Sequence, residues 1–118
     1  MSGSVSYHAG LAAEEIVAAD YARRGLRLER RGWRGKRGEI DLILREEDRV
    51  VFVEVKKSRN FARAAESLSQ RQVQRILGAA EEFVAGEPKG QLTEMRFDLA
   101  MVDGMGRIEI LESACLAA

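Results

Sequence analysis

The stretch EIDLILREEDRVVFVEVKKS, residues 39–58, constrains the fold more than any other part of this chain. Two apolar runs flank the charged turn EEDR (46–49), which is the pattern of an antiparallel hairpin. In the first run, residues 39–45, strand alternation puts Ile40, Leu42 and Leu44 on one face and Glu39, Asp41 and Ile43 on the other. In the second, predicted from Val50 to Lys57, Val51, Val53 and Val55 share one face while Phe52, Glu54 and Lys56 share the other. Desolvating a carboxylate or an ammonium costs on the order of several kcal/mol, comparable with the whole stability of a small domain. Glu54 and Lys56 therefore need a reason to stand in such a strand.

The rest of the chain supplies the elements around that hairpin. Residues 9–24 read as a helix with Ala9, Ala13, Ile16, Val17 and Tyr21 at helical spacing, ended by Gly25. Glu14 falls at the margin of that stripe, close to the side of Tyr21. LRLER (26–30) reads as a short strand and RRGWRGKRG (30–38) as a glycine-spaced basic loop. After a polar loop, residues 67–86 give a second helical stripe of Val73, Ile76, Leu77, Ala80 and Val84, with Ser69 as N-cap and Gly86 as the stop. Residues 95–103 and 107–111, joined by the turn GMG, make a second hairpin. The expected fold is one α/β domain spanning residues 1–118, a mixed sheet with helices against it.

On the first hairpin, a modest assumption about register brings Asp41, Glu54 and Lys56 to one side. Two neighbouring carboxylates repel unless a proton or a cation stands between them. An all-oxygen pair with its other positions left to water and phosphate suits Mg²⁺ or Mn²⁺. A lysine beside it can hold or deprotonate a water, or stabilise charge growing on a phosphate. Pattern alone leaves a second reading open, in which the hairpin has one solvated face and Glu54 and Lys56 merely pair with cross-strand neighbours.

Composition narrows the partners. Charged residues are 32% of the chain and the formal net charge is zero, yet eight basic residues and a single acid between Arg23 and Arg37 make a local charge of +7. Such a segment can meet a polyanion although the molecule as a whole is neutral. Arg30, Arg31, Arg34, Lys36, Arg37 and Lys57 are the candidate phosphate contacts, and Arg63, Arg71 and Arg75 extend that surface. The alternative is a solvated arginine-rich face. Trp33 suits the edge of a core better than a base-stacking platform. Cys115 is the single cysteine, which excludes an intrachain disulfide and a cysteine-based metal cluster, and it reads as a small hydrophobe. His8 is the lone histidine and a weak general base. No signal sequence or membrane span is expected, and a reducing cytoplasm fits the cysteine usage.

GEIDLI (38–43) with VFVEVK (51–56) resembles the signature of the YraN family of small bacterial proteins. That family is grouped with the PD-(D/E)xK nuclease superfamily and is similar to archaeal Holliday-junction resolvases. Residues 13–34 look like its first helix and strand, and RFDLAMV (96–102) like its RFD strand. The resemblance implies a restriction-endonuclease-like core. It implies that Asp41 and Glu54 ligate the metal, that the Val55 carbonyl completes the site, and that Lys56 acts on the attacking water. Glu14 matches a first-helix glutamate that approaches the metal in resolvase-like relatives, or else is a solvated helix residue. Glu39 matches the GEID glutamate and has no role beyond pairing with nearby arginines. The chain departs from the pattern after EVK, where Lys57 and Ser58 precede Arg59, and in the second helix, where Gln72 stands at the place of a family lysine.

Three functions follow as expectations. The first is a Mg²⁺- or Mn²⁺-dependent nuclease acting on DNA, branched or single-stranded, with RNA left open. The second is a non-catalytic nucleic-acid-binding module on the same fold. The third is an interaction protein whose carboxylates are structural. Resolvase-like relatives act as dimers, so a homodimer is open too, although no dimerisation stripe stands out.

Overall fold

The computed structural model describes residues 2–66 and 68–114, with side chains over 12–63 and 68–114. Alternation in the two central strands decides the architecture. Leu42, Leu44, Val51 and Val53 pack with Ala13, Val17 and Tyr21 of the first helix. Ile43, Val50 and Phe52, from the opposite face, pack with Ile76, Ala79, Ala80 and Val84 of a later helix. A strand pair apolar on both faces must be covered twice, and the result is a helix–sheet–helix sandwich.

The elements run α1 (Ser2–Arg23), β1 (Arg27–Arg34), β2 (Glu39–Glu46), β3 (Arg49–Lys57), α2 (Phe61–Glu66), α3 (Gln70–Val84), a single 3₁₀ turn (Gly90–Leu92), β4 (Met95–Val102) and β5 (Ile108–Leu111). The five strands lie in the order β1-β2-β3-β4-β5. Only β3 and β4 are parallel, from Val50↔Met95 to Lys57↔Val102, and α2 and α3 lie in the crossover that such a pair needs. This mixed sheet flanked by helices is consistent with a restriction-endonuclease-like core. Among the described residues no helix is long and apolar enough to cross a membrane.

Local chemistry explains the boundaries. After α1, Gly25 takes φ +93° while its N–H bonds the Ala22 carbonyl and the Leu26 N–H bonds the Tyr21 carbonyl, a Schellman ending that needs a left-handed residue. Ser69 and Gln72 form a reciprocal capping box at the start of α3. That helix ends at Val84, two residues before Gly86.

Four expectations are corrected. Helix α1 begins at Ser2 rather than Ala9, because helical hydrogen bonding requires no apolar stripe and no proline interrupts residues 2–8. Strand β1 runs to Arg34, so Arg30, Arg31, Trp33 and Arg34 are strand residues paired with β2, and only 35–38 form the loop. Exposed arginines hid a strand whose backbone is satisfied by its neighbour. Helix α2 lies where a loop was expected, started by the Asn60 side chain accepting from Ala62 and Arg63 N–H at 2.9 and 3.3 Å. Finally, Ile40 packs with Ile43 and Phe52 rather than with Leu42 and Leu44, so alternation breaks at Asp41.

Candidate metal and nucleic-acid site

The break at Asp41 builds the site. Strand β1 pairs with β2 through Arg31↔Leu42 and Trp33↔Ile40, which sets Gly32 opposite Asp41. Gly32 has φ +62°, a conformation that glycine adopts at little cost. Across this level the ribbon turns. Arg31 points toward Glu14 of α1, while Trp33 and Ile40 swing to the α3 side, where Trp33 meets Phe83 edge-on at 5.4 Å. Trp33 thus closes a core edge. The β2–β3 ladder stops at the same level, after Leu42↔Val53. Beyond it the Asp41 carboxylate, at 2.8 Å, accepts the Val55 N–H.

In that register the next pair is Asp41 opposite Glu54, and residues directly opposite share a face. The Glu54 side chain is 13% exposed. Burial, then the neighbouring Asp41 carboxylate, push the Glu54 carboxyl up to about 8, although Lys56 opposes them. Lys56 Nζ lies 3.7 Å from Glu54 Oε2. The structure therefore brings together Asp41, Glu54, the Val55 backbone and Lys56.

Glu14 stands at the margin of this group. Its carboxyl is raised by partial burial and then by the charge of Asp41, against the pull of Arg31 at 4.0 Å. Among the described residues no three His, Cys, Asp or Glu side chains converge closely enough to hold a metal by themselves. The donor set that fits a cation is narrower: two acidic oxygens that repel without a proton between them, with water and phosphate to fill the other positions. That chemistry suits a hard divalent ion.

The other candidate residues fall around this end of the sheet. Glu39 pairs with Arg34 at 3.0 Å on the surface. Lys36 and Arg37 occupy the β1–β2 turn, where Gly35 N–H bonds the Gly38 carbonyl at 2.9 Å. Their own N–H groups donate to Glu82 of α3 at 2.9 and 2.8 Å, holding that carboxyl below its ordinary range. Arg30 is exposed on β1, and Lys57 is exposed at the end of β3. Gln72 is engaged at the helix cap, its side chain accepting from Ser69 N–H at 3.4 Å. Several arginines of the basic run are ion-paired, Arg23 and Arg24 with Asp20 and Arg37 with Glu81, so the exposed field is weaker than the local +7. Cys115 and the side chains of His8 and Ala9 lie outside the described residues.

One residue of consequence escaped the sequence reading. Asp98 is fully buried and accepts from the Tyr21 hydroxyl at 2.7 Å, from Arg96 Nε and Nη2 at 2.9 Å each, and from Ser113 N–H at 3.2 Å. Burial, followed by that hydrogen bond, raises the Tyr21 phenol well above its usual range, so it stays a donor. The network pins α1 to β4. Its signal was an acid between Phe97 and Leu99 in an apolar strand, the same anomaly that Glu54 presents.

The profile of a family described as Uncharacterised protein family UPF0102 matches residues 13–102, which include Glu14, Asp41, Glu54, Lys56 and Asp98. A UPF0102 protein of Cereibacter sphaeroides strain KD131 is 61% identical over 117 residues, covering 99% of this chain and 100% of its own. One from Ruegeria pomeroyi is 63% identical over 95% of this chain and 91% of its own length. One from Dinoroseobacter shibae is 47% identical over 92% and 81%.

Proposed function

The chain belongs to the UPF0102 family, and from that premise and the pairing of Asp41 with Glu54 we propose a metal-dependent nuclease of the PD-(D/E)xK type. Its reaction is hydrolysis of DNA phosphodiester bonds, with branched or single-stranded DNA among its substrates. The observation that carries this reading is two carboxyls held together at the end of a hairpin, one raised far enough to keep a proton near neutral pH. Such a pair is costly, and a divalent cation in place of the proton relieves it. Asp41, Glu54 and the Val55 carbonyl would hold Mg²⁺ or Mn²⁺, which when bound supplies an activated water and neutralises charge on the phosphate. Lys56, anchored by Glu54, presents an ammonium to the attacking water or to the phosphate oxygens. Glu14 adds negative potential from α1, and the basic turn offers phosphate contacts.

Two measurements test this hypothesis. Titrating Mn²⁺ is expected to raise the Tm of the wild type but not of Asp41→Ala or Glu54→Ala. A panel of linear, flapped, single-stranded and four-way DNA, with an RNA control, is expected to be cut in Mg²⁺ or Mn²⁺. The proposal fails if the wild type cuts none of them, or if Glu54→Ala cuts equally well. The second reading, a binding module that does not turn over, is favoured by Gln72 being committed to the helix cap. It predicts DNA binding and a Mn²⁺-dependent Tm without cleavage.

A further inference from the structure

The side of α3 turned away from the core carries Arg71, Arg75, Gly78 and Glu82, at i, i+4, i+7 and i+11. At about 100° per residue these form one stripe, opposite Val73, Ile76 and Ala80. The two C-terminal positions of the stripe are covered by the β1–β2 turn. Glu82 accepts both successive N–H groups of Lys36 and Arg37. The Arg37 side chain lies over Gly78 so closely that a Cβ there would stand 2.7 Å from Nε and 2.9 Å from Cζ. Gly38 presses on the same helix, where a Cβ would come 3.0 Å from the Arg75 carbonyl oxygen. Arg71 and Arg75 continue the line into solvent, both exposed. Glu81 faces Arg37 at 3.4 Å with both side chains more than half exposed, and Glu81 and Glu82 together leave the four cations of the row net positive.

We infer that the docked turn and α3 together form a single basic track, Lys36–Arg37–Arg75–Arg71, that binds a nucleic-acid phosphate backbone, with Gly78 and Glu82 as its positioning residues. The inference rests on the nuclease reading and adds the path the strand takes from the Asp41–Glu54 end of the sheet. Four cations contributed by two elements become one surface only because Gly78 has no side chain and Glu82 satisfies the turn's backbone. From Arg71 to Gly78 the helix rises about 10 Å, enough for more than one phosphate.

Fluorescence anisotropy with a labelled single strand and its duplex, in EDTA so that nothing is cut, tests the track in the full chain. Arg71→Gln with Arg75→Gln is expected to weaken binding at least tenfold and to shrink the log–log salt slope by roughly one per arginine. Gly78→Ala displaces only the flexible end of Arg37, so the Tm is expected to hold while affinity falls as it does in Arg37→Gln. The Gly78→Ala/Arg37→Gln double variant should then bind no worse than either single one. Unchanged affinity and slope in the double arginine variant, or additive losses in the Gly78–Arg37 cycle, overturn the track. If those variants also cut DNA with wild-type KM, the track alone is wrong and the nuclease reading stands. A wild type that neither binds nor cuts DNA overturns both.

Discussion

With its side chain nearly enclosed and the Asp41 carboxylate beside it, Glu54 couples the stability of the protein to pH. Its folded pKa lies near 8, above the ordinary 4.5, so between those values the folded state holds more protons than the unfolded one. The stabilisation is complete below about 4.5 and is lost as pH rises toward 8. In EDTA the Tm is therefore expected to fall across that window, and the fall should flatten in Glu54→Gln. Added Mg²⁺ should raise the Tm more at the alkaline end, where no proton competes. A flat wild-type profile would contradict the assignment. Asp98 sets the second residue-scale expectation. Replacing Tyr21 with Phe removes one donor to a buried carboxylate and should cost about 1.5–3 kcal/mol in denaturant unfolding. Asp98→Ala removes the buried acceptor shared by Tyr21, Arg96 and Ser113 and should cost about 3–5 kcal/mol.

Between residues and fold, the deciding element is the β1–β2 ribbon and its turn at Gly32. A strand that kept strict alternation would hold Ile40 with Leu42 and leave Trp33 on the α1 side. The positive φ of Gly32 lets the ribbon change faces, so its tip reaches α3 and Asp41 stands free of the ladder to reach Val55. Gly32→Ala meets no atom within 4 Å but must adopt a left-handed conformation, at a cost of about 1–2 kcal/mol. Trp33 is the sole tryptophan, so a red shift of its emission would report undocking of the tip from Phe83. Unchanged emission and stability would show that the turn does not depend on Gly32. This change of faces was not legible beforehand. Period-two reasoning places a side chain only while the strand stays regular, and glycine in a basic run looks the same in a loop as in a twisted strand.

For the whole molecule, the formal net charge of zero hides a separation of signs. The acids of the β2–β3 turn, Glu46, Glu47 and Asp48, close the hairpin at the end away from Asp41 and Glu54, while Lys36 and Arg37 gather at the near end. Despite its neutrality the protein is expected to be retained on heparin, and the Arg71→Gln/Arg75→Gln variant to elute at lower salt. Co-elution of the two would argue that these arginines belong to an ordinary solvated face.

The sequence by itself determined the central hairpin, the covering helices, the second hairpin, and the placement of Asp41, Glu54 and Lys56 on neighbouring strands. Each follows from local periodicity, capping chemistry and turn residues, which act over a few positions. Tertiary structure alone decided that β1 continues to Arg34, that Ile40 and Trp33 turn toward α3, that Glu82 fastens the basic turn, and that Asp98 ties β4 to Tyr21. Those features depend on partners as many as 77 positions away in the chain, where no periodicity reaches and only packing selects the neighbour.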